Sequence, residues 1–253
     1  MRAIWIGLLG ITAPITLGAQ SLEQRVRGAG EGTVRMSFAA RKGVCSHGPG
    51  SISIIDDHDD GGDSEWESDC KGGPVRVSLR MRGGRVAESE TYVGGNWKSG
   101  SGKVTDLGLV PAREAAHFML ALAPEAGEDD GGELVTAATL ADSVVVWPQL
   151  LRMARDTEIR EDTRKQAVFW LGQAAGKEAT KGLDSIVTDT GGEIEIRKQA
   201  VFALSQRPEE EGVPALIHIA RTNRHPELRK TALFWLGQSE DPRALTLFEE
   251  ILR

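Results

Sequence analysis

An acidic run at residues 56–67 is the segment of the chain whose residue types best suit metal chemistry. Its carboxylates Asp56, Asp60 and Glu67 fall at the first, fifth and twelfth positions of an EF-hand calcium loop, where oxygen ligands converge on a hard cation. His58 at the third position breaks that pattern. We therefore predict a solvated acidic loop, with a calcium site as the alternative and no other metal site.

The N-terminal residues 1–19 have the pattern of an export signal. Arg2 supplies a positive charge, the stretch from Ala3 to Leu17 is apolar, and Ala19 offers a small residue for cleavage before Gln20. The stretch is shorter than the roughly 20 apolar residues of a membrane span. We expect a cleaved signal peptide and a periplasmic or secreted protein without a membrane span, with an uncleaved anchor as the alternative.

The chain has two cysteines, Cys45 and Cys70. In an oxidising compartment such a pair forms a disulfide, which is the bond we predict. A zinc site that adds His47 and His58 is the alternative. Cys-x-His is not a recurrent zinc spacing, and export disfavours free thiolates.

Composition divides the chain into two differently built halves. Of its 30 glycines, 23 lie in residues 1–140 and 7 in residues 141–253. The net charge of −7 argues against a nucleic-acid binder, and we predict no nucleic-acid partner. No nucleophile elbow or phosphate loop is present in the glycine-rich half, and we predict no catalytic residues and no cofactor.

The glycine-rich half has the period-two pattern of short strands. We predict strands at 33–40 and 51–55, and a hairpin whose strands are 75–82 and 86–93. A three-residue loop, Gly83-Gly84-Arg85, places Arg80 opposite Glu88, and it is the loop that we predict.

The second half repeats itself. The segment RKQAVFWLGQ at 164–173 recurs as RKQAVFALSQ at 197–206 and as RKTALFWLGQ at 229–238, with periods of 33 and 32 residues. A second series relates 147–155 to 213–221, and in it Pro148 and Pro214 are predicted near a helix start. Each unit is thus two helices, and units this small must stack into a solenoid.

The last unit carries a recognisable pattern. HPELRK at 225–230, followed by Ala232-Leu233, Leu236-Gly237 and DPRAL at 241–245, resembles the short HEAT repeats of phycobilisome-lyase-like proteins. The resemblance covers about residues 131–253 and implies an antiparallel two-helix solenoid that binds proteins. Projected backwards, the repeat reaches Pro111. We predict an α+β protein: a signal peptide at 1–19, a small antiparallel β domain at 20–104 and a HEAT-like α-solenoid at 105–253.

The family that the sequence resembles also includes enzymes, but the sequence argues against an enzymatic function. The His-Glu pairs of the di-iron relatives are absent, and bilin lyases are cytosolic proteins without an export signal or a β domain. The first choice is therefore a non-enzymatic, exported scaffold or adaptor that binds another protein. A metal- or ligand-binding β domain with the solenoid as platform is the alternative, and a bilin-lyase-like enzyme comes third.

The solenoid suggests which residues meet the partner. Equivalent positions on the second helices of the repeats, which line the concave side in HEAT-like solenoids, are the candidates, joined by two nearby arginines. They are Arg152, Ser185, His218 and Glu250, with Arg155 and Arg221. The Arg-Lys pairs are expected to serve the structure itself, and the aromatics Phe169, Trp170, Phe202, Phe234 and Trp235 to lie in the core. The apolar C-terminal helix, with Leu245 and Ile251, is a candidate for self-association.

Overall fold

The computed structural model describes residues 20–48, 51–54, 70–97, 102–127 and 129–253. The strands are β1 (Gly32–Phe38), β2 (Val44–Gly48), β3 (Ser51–Ile54), β4 (Lys71–Gly72), β5 (Val75–Arg82), β6 (Arg85–Val93) and β7 (Val104–Leu109). The helices are α1 (Leu22–Ala29), α2 (Ala112–Leu122), α3 (Asp130–Thr139), α4 (Trp147–Arg155), α5 (Glu161–Gly172), α6 (Lys177–Thr188), α7 (Ile194–Ser205), α8 (Glu209–Thr222), α9 (Pro226–Leu236) and α10 (Pro242–Leu252). A sheet region followed by helical repeats confirms the α+β prediction.

Two sheets form the N-terminal part. Strands run in the order β6-β5-β1-β7 in the first sheet and β3-β2-β4 in the second. The first sheet is mixed, because β1 and β7 are parallel while its other pairs are antiparallel. Strand β7 lies beyond the expected end of the β domain at residue 104 and still pairs with β1. That division of the chain stays a prediction.

Buried and more exposed side chains alternate along the strands of the first sheet, so that one face of the sheet is buried. Val75, Val77 and Leu79 of β5 are fully buried, and so are Met36 and Phe38 of β1. Helix α1 was not predicted; Ser21 begins it with a capping box, accepting a hydrogen bond from the Gln24 backbone amide while the Gln24 side chain binds the Ser21 amide. Its Leu22 and Val26 are also buried. The sheet therefore has one apolar face, to which α1 adds two core side chains.

The outer face of the same sheet carries a polar and aromatic cluster. The guanidinium groups of Arg35 and Arg76 lie 5.0 and 5.5 Å from the centre of the Trp97 ring, and Tyr92 meets that ring edge-on at 6.3 Å. Burial and a hydrogen bond to the Glu90 carboxylate raise the pKa of Tyr92 to about 12. The phenol thus stays neutral at physiological pH.

The hairpin corrects one prediction. Its loop has two residues, Gly83 and Gly84, and Arg82 pairs with Arg85, so the three-residue loop is wrong. Both glycines have positive φ, 57° and 74°, as the tight hairpin turn requires. Arg80 nevertheless lies opposite Glu88, with an ion pair at 3.0 Å, because a bulge before Glu88 restores the register. The charge pairing was predicted correctly, and the extra residue sits in the strand instead of the turn.

The predicted disulfide is present. Cys45 in β2 is bonded to Cys70, which directly precedes β4, and no free cysteine occurs in the described part of the chain. The bond ties the two antiparallel partners β2 and β4 together. It also removes both thiolates that the zinc alternative requires.

Helix α3 attaches the helices to the sheet at both of its ends. At its start, Asp130 accepts hydrogen bonds from the Ser89 amide and hydroxyl, and Glu133 accepts one from the Thr91 amide at 2.8 Å. After its end, the Asp142 amide donates to the Ala39 carbonyl at 2.9 Å. Because β6 is an edge strand, the two carboxylates bind amides that have no neighbouring strand.

Replacing Asp130 and Glu133 together by alanine should destabilise the edge of the sheet. Each amide that loses its acceptor costs about 1 to 3 kcal/mol if it stays out of water. We expect hydrogen exchange to accelerate at Ser89 and Thr91, measured amide by amide in NMR spectra. Alanine at Asp129, an exposed neighbour, is the control and should leave both rates unchanged. Equal exchange in all variants would contradict the role of the two carboxylates.

The helices follow the predicted repeat. First helices are α3, α5, α7 and α9; second helices are α2, α4, α6, α8 and α10. Equivalent alanines, Ala167, Ala200 and Ala232, are fully buried, and the small side chain lets neighbouring helices approach closely. One expected helix start is wrong: α8 begins at Glu209, so Pro214 lies inside it.

The aromatic side chains are less uniform than expected. Trp170 is buried, Phe169 and Trp235 are partly buried against the core, and Phe202 is partly exposed. Phe234 is 57% exposed, so the prediction that all five lie in the core is wrong for that residue. Phe202 lies against Trp235 of the next first helix, with ring centres 4.9 Å apart, whereas Phe234 meets the ring of its chain neighbour Trp235 at 5.0 Å and stays largely exposed.

Candidate partner-binding face of the helical repeats

The first arginine of each Arg-Lys pair is used inside the solenoid, as expected. Each reaches the end of a second helix or the residue before the next first helix. The contacts run from Arg164 to the Glu193 carboxylate, from Arg197 to the Val187 carbonyl and from Arg229 to the Asn223 carbonyl, at 2.7, 3.0 and 2.8 Å. These arginines therefore do not form a free basic ladder.

The six predicted site residues lie on second helices, and four of them form contacts between neighbouring repeats. Arg155 of α4 donates to the Ser185 hydroxyl of α6 at 2.6 Å. Arg221 of α8 forms an ion pair with Glu250 of α10, in which both side chains are about half exposed. Each contact therefore joins one of the two added arginines to one of the equivalent positions in the next repeat.

The other two predicted residues, His218 and Arg152, have different surroundings. The His218 ring lies 3.4 Å from the Thr222 hydroxyl, one turn further along α8. Arg152 is exposed on α4, one turn before Arg155. Neither joins two repeats through a contact among the residues described.

A groove lies between α8 and α10. Its volume is about 440 Å³, and its walls are Pro214, Ile217, His218, Arg221, Thr222, Arg243 and Thr246. Pro214 and Ile217 give it apolar surface, while Arg221 and Arg243, each paired with a carboxylate, bring guanidinium groups to its rim. The groove therefore joins two of the predicted site residues, His218 and Arg221, to Arg243, which was not predicted.

Arg243 is held in place at the start of α10. Asp241 caps this helix by accepting a hydrogen bond from the Arg243 amide at 2.8 Å, and its carboxylate also binds the Arg243 guanidinium. The Arg243 side chain holds the pKa of Asp241 down at about 2. A further bond joins Arg243 to the Glu209 carbonyl of α8 at 3.0 Å, so both walls of the groove are tied at this end.

Comparison with known protein families agrees with this arrangement. Residues 190–253 match the family model described as HEAT repeats. The C-terminal region carries HEAT repeats. No family model matches the N-terminal half, and no curated protein matches the chain.

A buried arginine that the sequence did not reveal joins two neighbouring helical repeats. Arg207, in the loop between α7 and α8, donates to the Thr180 hydroxyl at 2.9 Å, to the Gly172 carbonyl at 3.0 Å and to the Gly176 carbonyl at 3.1 Å. It also forms an ion pair with Glu211 at 3.0 Å. Only the four-residue spacing from Arg207 to Glu211 is visible in the sequence.

The contacts around Arg207 also change the pKa of Glu211. Hydrogen bonds from the Thr180 hydroxyl and from the Arg207 guanidinium lower the pKa of Glu211. The carboxylate is therefore ionised over a wider pH range than a free glutamate. The helical repeats that contain α6 and α8 are thus connected through one buried charged group, the Arg207 guanidinium.

No cluster of three or more His, Cys, Asp or Glu side chains suited to a metal occurs among the described residues. The calcium candidates Asp56, Asp60 and Glu67 lie outside those residues. No helix within the described ranges is long and apolar enough to cross a membrane.

Proposed function

We propose that the protein is exported and acts as a scaffold or adaptor that binds another protein through the exposed face of its second helices. The HEAT repeats support a protein-interaction solenoid, because this architecture presents an extended surface made of several repeats. The export signal pattern and the Cys45–Cys70 disulfide support an oxidising compartment.

The groove between α8 and α10 is the observation that carries the proposal. It combines an apolar wall, Pro214 and Ile217, with the guanidinium groups of Arg221 and Arg243, which pair with Glu250 and Asp241. A protein segment with apolar side chains flanked by carboxylates is complementary to this surface. Because Arg221 and Glu250 are about half exposed, a carboxylate of the partner can compete for the guanidinium at little cost to the fold.

The test is a comparison of captured proteins from the periplasm of the native host. The bait is the full-length chain, and the variant combines His218→Ala with Arg221→Glu. Arg82→Glu, an exposed reversal at the hairpin end of β5, changes the net charge equally and is the control. We expect one partner to be retained by the wild type and the control and to be lost from the groove variant.

The same mass spectra report on export. The recovered bait should begin at Gln20 if residues 1–19 are removed. Retention of the same partner by the groove variant would contradict the proposed surface, and an intact Met1 would contradict signal cleavage.

A further inference from the structure

Two pairs of adjacent second helices make the same contact with different chemistry. Between α8 and α10, Arg221 forms an ion pair with the Glu250 carboxylate. Between α4 and α6, Arg155 occupies the position equivalent to Arg221, two repeats earlier, and donates to the Ser185 hydroxyl at 2.6 Å. The chain itself therefore supplies a carboxylate to Arg221, whereas it supplies only a neutral hydroxyl to Arg155.

Two further arginines add positive charge to the same part of the molecule. Arg152 lies one turn before Arg155 on α4, and Arg113 lies on α2. All three arginines are exposed. Within the described ranges, no carboxylate lies within 4.0 Å of any of their guanidinium groups. We call the surface formed by Arg113, Arg152 and Arg155 the arginine surface.

A contact between α2 and α4 connects the arginine surface. Nδ1 of His117 on α2 lies 2.7 Å from the side-chain oxygen of Gln149 on α4. Residues three or four positions apart lie on one side of a helix, with Cβ atoms about 5 to 6 Å apart. Arg113 is one turn before His117, and Arg152 is one turn after Gln149. Arg152 and Arg155 in turn share one side of α4.

Carboxylates next to the arginines in the chain, and one on α6, have other partners. Glu114 accepts a hydrogen bond from the first amide of α1 at 2.7 Å. Asp156 accepts one from the Glu158 amide at 3.0 Å, and Glu178 of α6 pairs with Lys181 at 2.8 Å. None of these contacts neutralises the arginine surface, which keeps its positive charge on a chain whose net charge is −7.

The solenoid itself indicates which group would pair with these arginines. At the equivalent contact between α8 and α10, the partner of the arginine is a glutamate side chain. A protein segment with carboxylates would form the same charge-assisted hydrogen bonds with Arg152 and Arg155. In an extended segment, every second side chain lies on the same side, about 6.6 Å apart. That distance is close to the spacing of the two arginines on α4.

We propose that the arginine surface binds an extended acidic segment of a partner protein, with Asp or Glu at alternate positions. This inference rests on the proposed scaffold function and specifies a second contact with the partner. It differs from the groove between α8 and α10, because Arg221 and Arg243 of the groove already pair with Glu250 and Asp241.

A synthetic peptide can serve as the probe. It is short and fluorescently labelled, and Glu and Ser alternate along it. It is added to the full-length chain, and binding is followed by fluorescence anisotropy. We expect saturable binding to the wild type, and no binding of a matched peptide in which Gln replaces every Glu, because only the carboxylates pair with guanidinium groups.

The variant Arg152→Glu with Arg155→Glu tests the surface. Loss of two charge-assisted hydrogen bonds should weaken binding of the Glu peptide by at least about tenfold. Arg82→Glu with Arg85→Glu, at the exposed hairpin end of β5 and β6, changes the net charge equally and is the control. It should bind like the wild type. Circular dichroism checks that both variants are folded.

A substitution at Ser185 tests the role of Arg155 more directly. Ser185→Glu places between α4 and α6 the carboxylate that Glu250 supplies between α8 and α10. The new side chain should pair with Arg155 and weaken binding of the Glu peptide by about fivefold. Ser185→Gln has the same length without the charge and should bind like the wild type. Equal weakening by both substitutions would contradict the pairing of Arg155 with a carboxylate of the partner.

The outcomes separate this inference from the proposed function. No binding to the wild type, or equal binding to the wild type and to the Arg152→Glu, Arg155→Glu variant, would overturn the inference. So would equal losses in that variant and in the hairpin control. Binding to phosphatidylglycerol vesicles through the same arginines, without binding of the peptide, would also overturn it, because a membrane surface would then be the occupant.

The captured partner shows which of the two ideas fails. If the peptide results overturn the inference while the groove variant still loses its captured partner, the scaffold function stands without it. If the peptide binds as expected while the groove variant keeps its partner, the proposed groove is wrong and the arginine surface stands.

Discussion

The variant Arg207→Ala should lose about 3 kcal/mol of unfolding free energy, because it removes a buried guanidinium with several hydrogen bonds and leaves the partly buried Glu211 carboxylate without its cation. Arg207 is buried and gives hydrogen bonds to groups on both sides of the joint between repeats. Its loss also leaves the Gly172 and Gly176 carbonyls without this donor. Denaturant titration followed by circular dichroism measures the change.

Two matched variants test whether burial is the reason. Arg221→Ala removes an exposed arginine that also bridges two repeats, and it should cost less than about 1 kcal/mol. The loss of unfolding free energy for Arg207→Lys should lie between the losses for Arg207→Ala and Arg221→Ala. An ammonium keeps the charge near Glu211 but cannot reproduce the planar set of donors of a guanidinium. Equal losses for Arg207→Ala and Arg221→Ala would contradict the importance of the buried joint.

The pH dependence of the same variant has a definite sign. The pKa of Glu211 is lowered in the folded protein, so its ionisation stabilises the fold fully above the unfolded pKa of about 4.3. That contribution is lost as the pH falls through the lower, folded pKa. The difference in stability between the wild type and Arg207→Ala should therefore narrow below about pH 4.

Replacing Cys45 and Cys70 together by serine should lower the unfolding free energy by about 3 to 4 kcal/mol. The disulfide closes a loop with a sequence separation of 25 residues, and the loss follows from the extra freedom of the unfolded chain. The effect should fall on the sheet region, since both cysteines lie in or beside the three-stranded sheet. Hydrogen exchange in β2, compared with that in α7, measures where the loss occurs.

A reductant provides the control for the disulfide. The wild type under reducing conditions should match the double-serine variant, and the variant itself should not respond to the reductant. A further loss in the variant would show that the reductant acts elsewhere. Equal stability of the oxidised wild type and the variant would contradict the predicted contribution of the bond.

Periodic features of the structure were predictable, whereas features that depend on single long-range contacts were not. The helical repeat was predicted from recurring residues, because each unit must bury the same small and aliphatic positions. Strand β7 was missed, since Val104 and Leu109 are exposed and the strand lacks the alternation of a half-buried strand. Helix α1 was missed too, although Ser21 and Gln24 have the spacing of a capping box.

In the candidate site, too, the features that follow from the repeat were predictable and those that depend on single contacts were not. Repeat spacing identified the positions that form the Arg155–Ser185 and Arg221–Glu250 contacts. It could not identify Arg243, whose place in the groove depends on the Asp241 cap and the Glu209 carbonyl. The role of Arg207 could not be predicted for a similar reason, because three of its partners are groups more than 25 residues away in the chain.

The two attachments of α3 determine how the protein can present a partner. The helix has 10 residues and is about 15 Å long. It is bonded to β6 at its start and, just beyond its end, to the segment after β1. A helix held at two separated points cannot rotate relative to the sheet as freely as a helix held at one point. A partner bound as proposed by the C-terminal helices would therefore keep a set distance and direction from the four-stranded sheet.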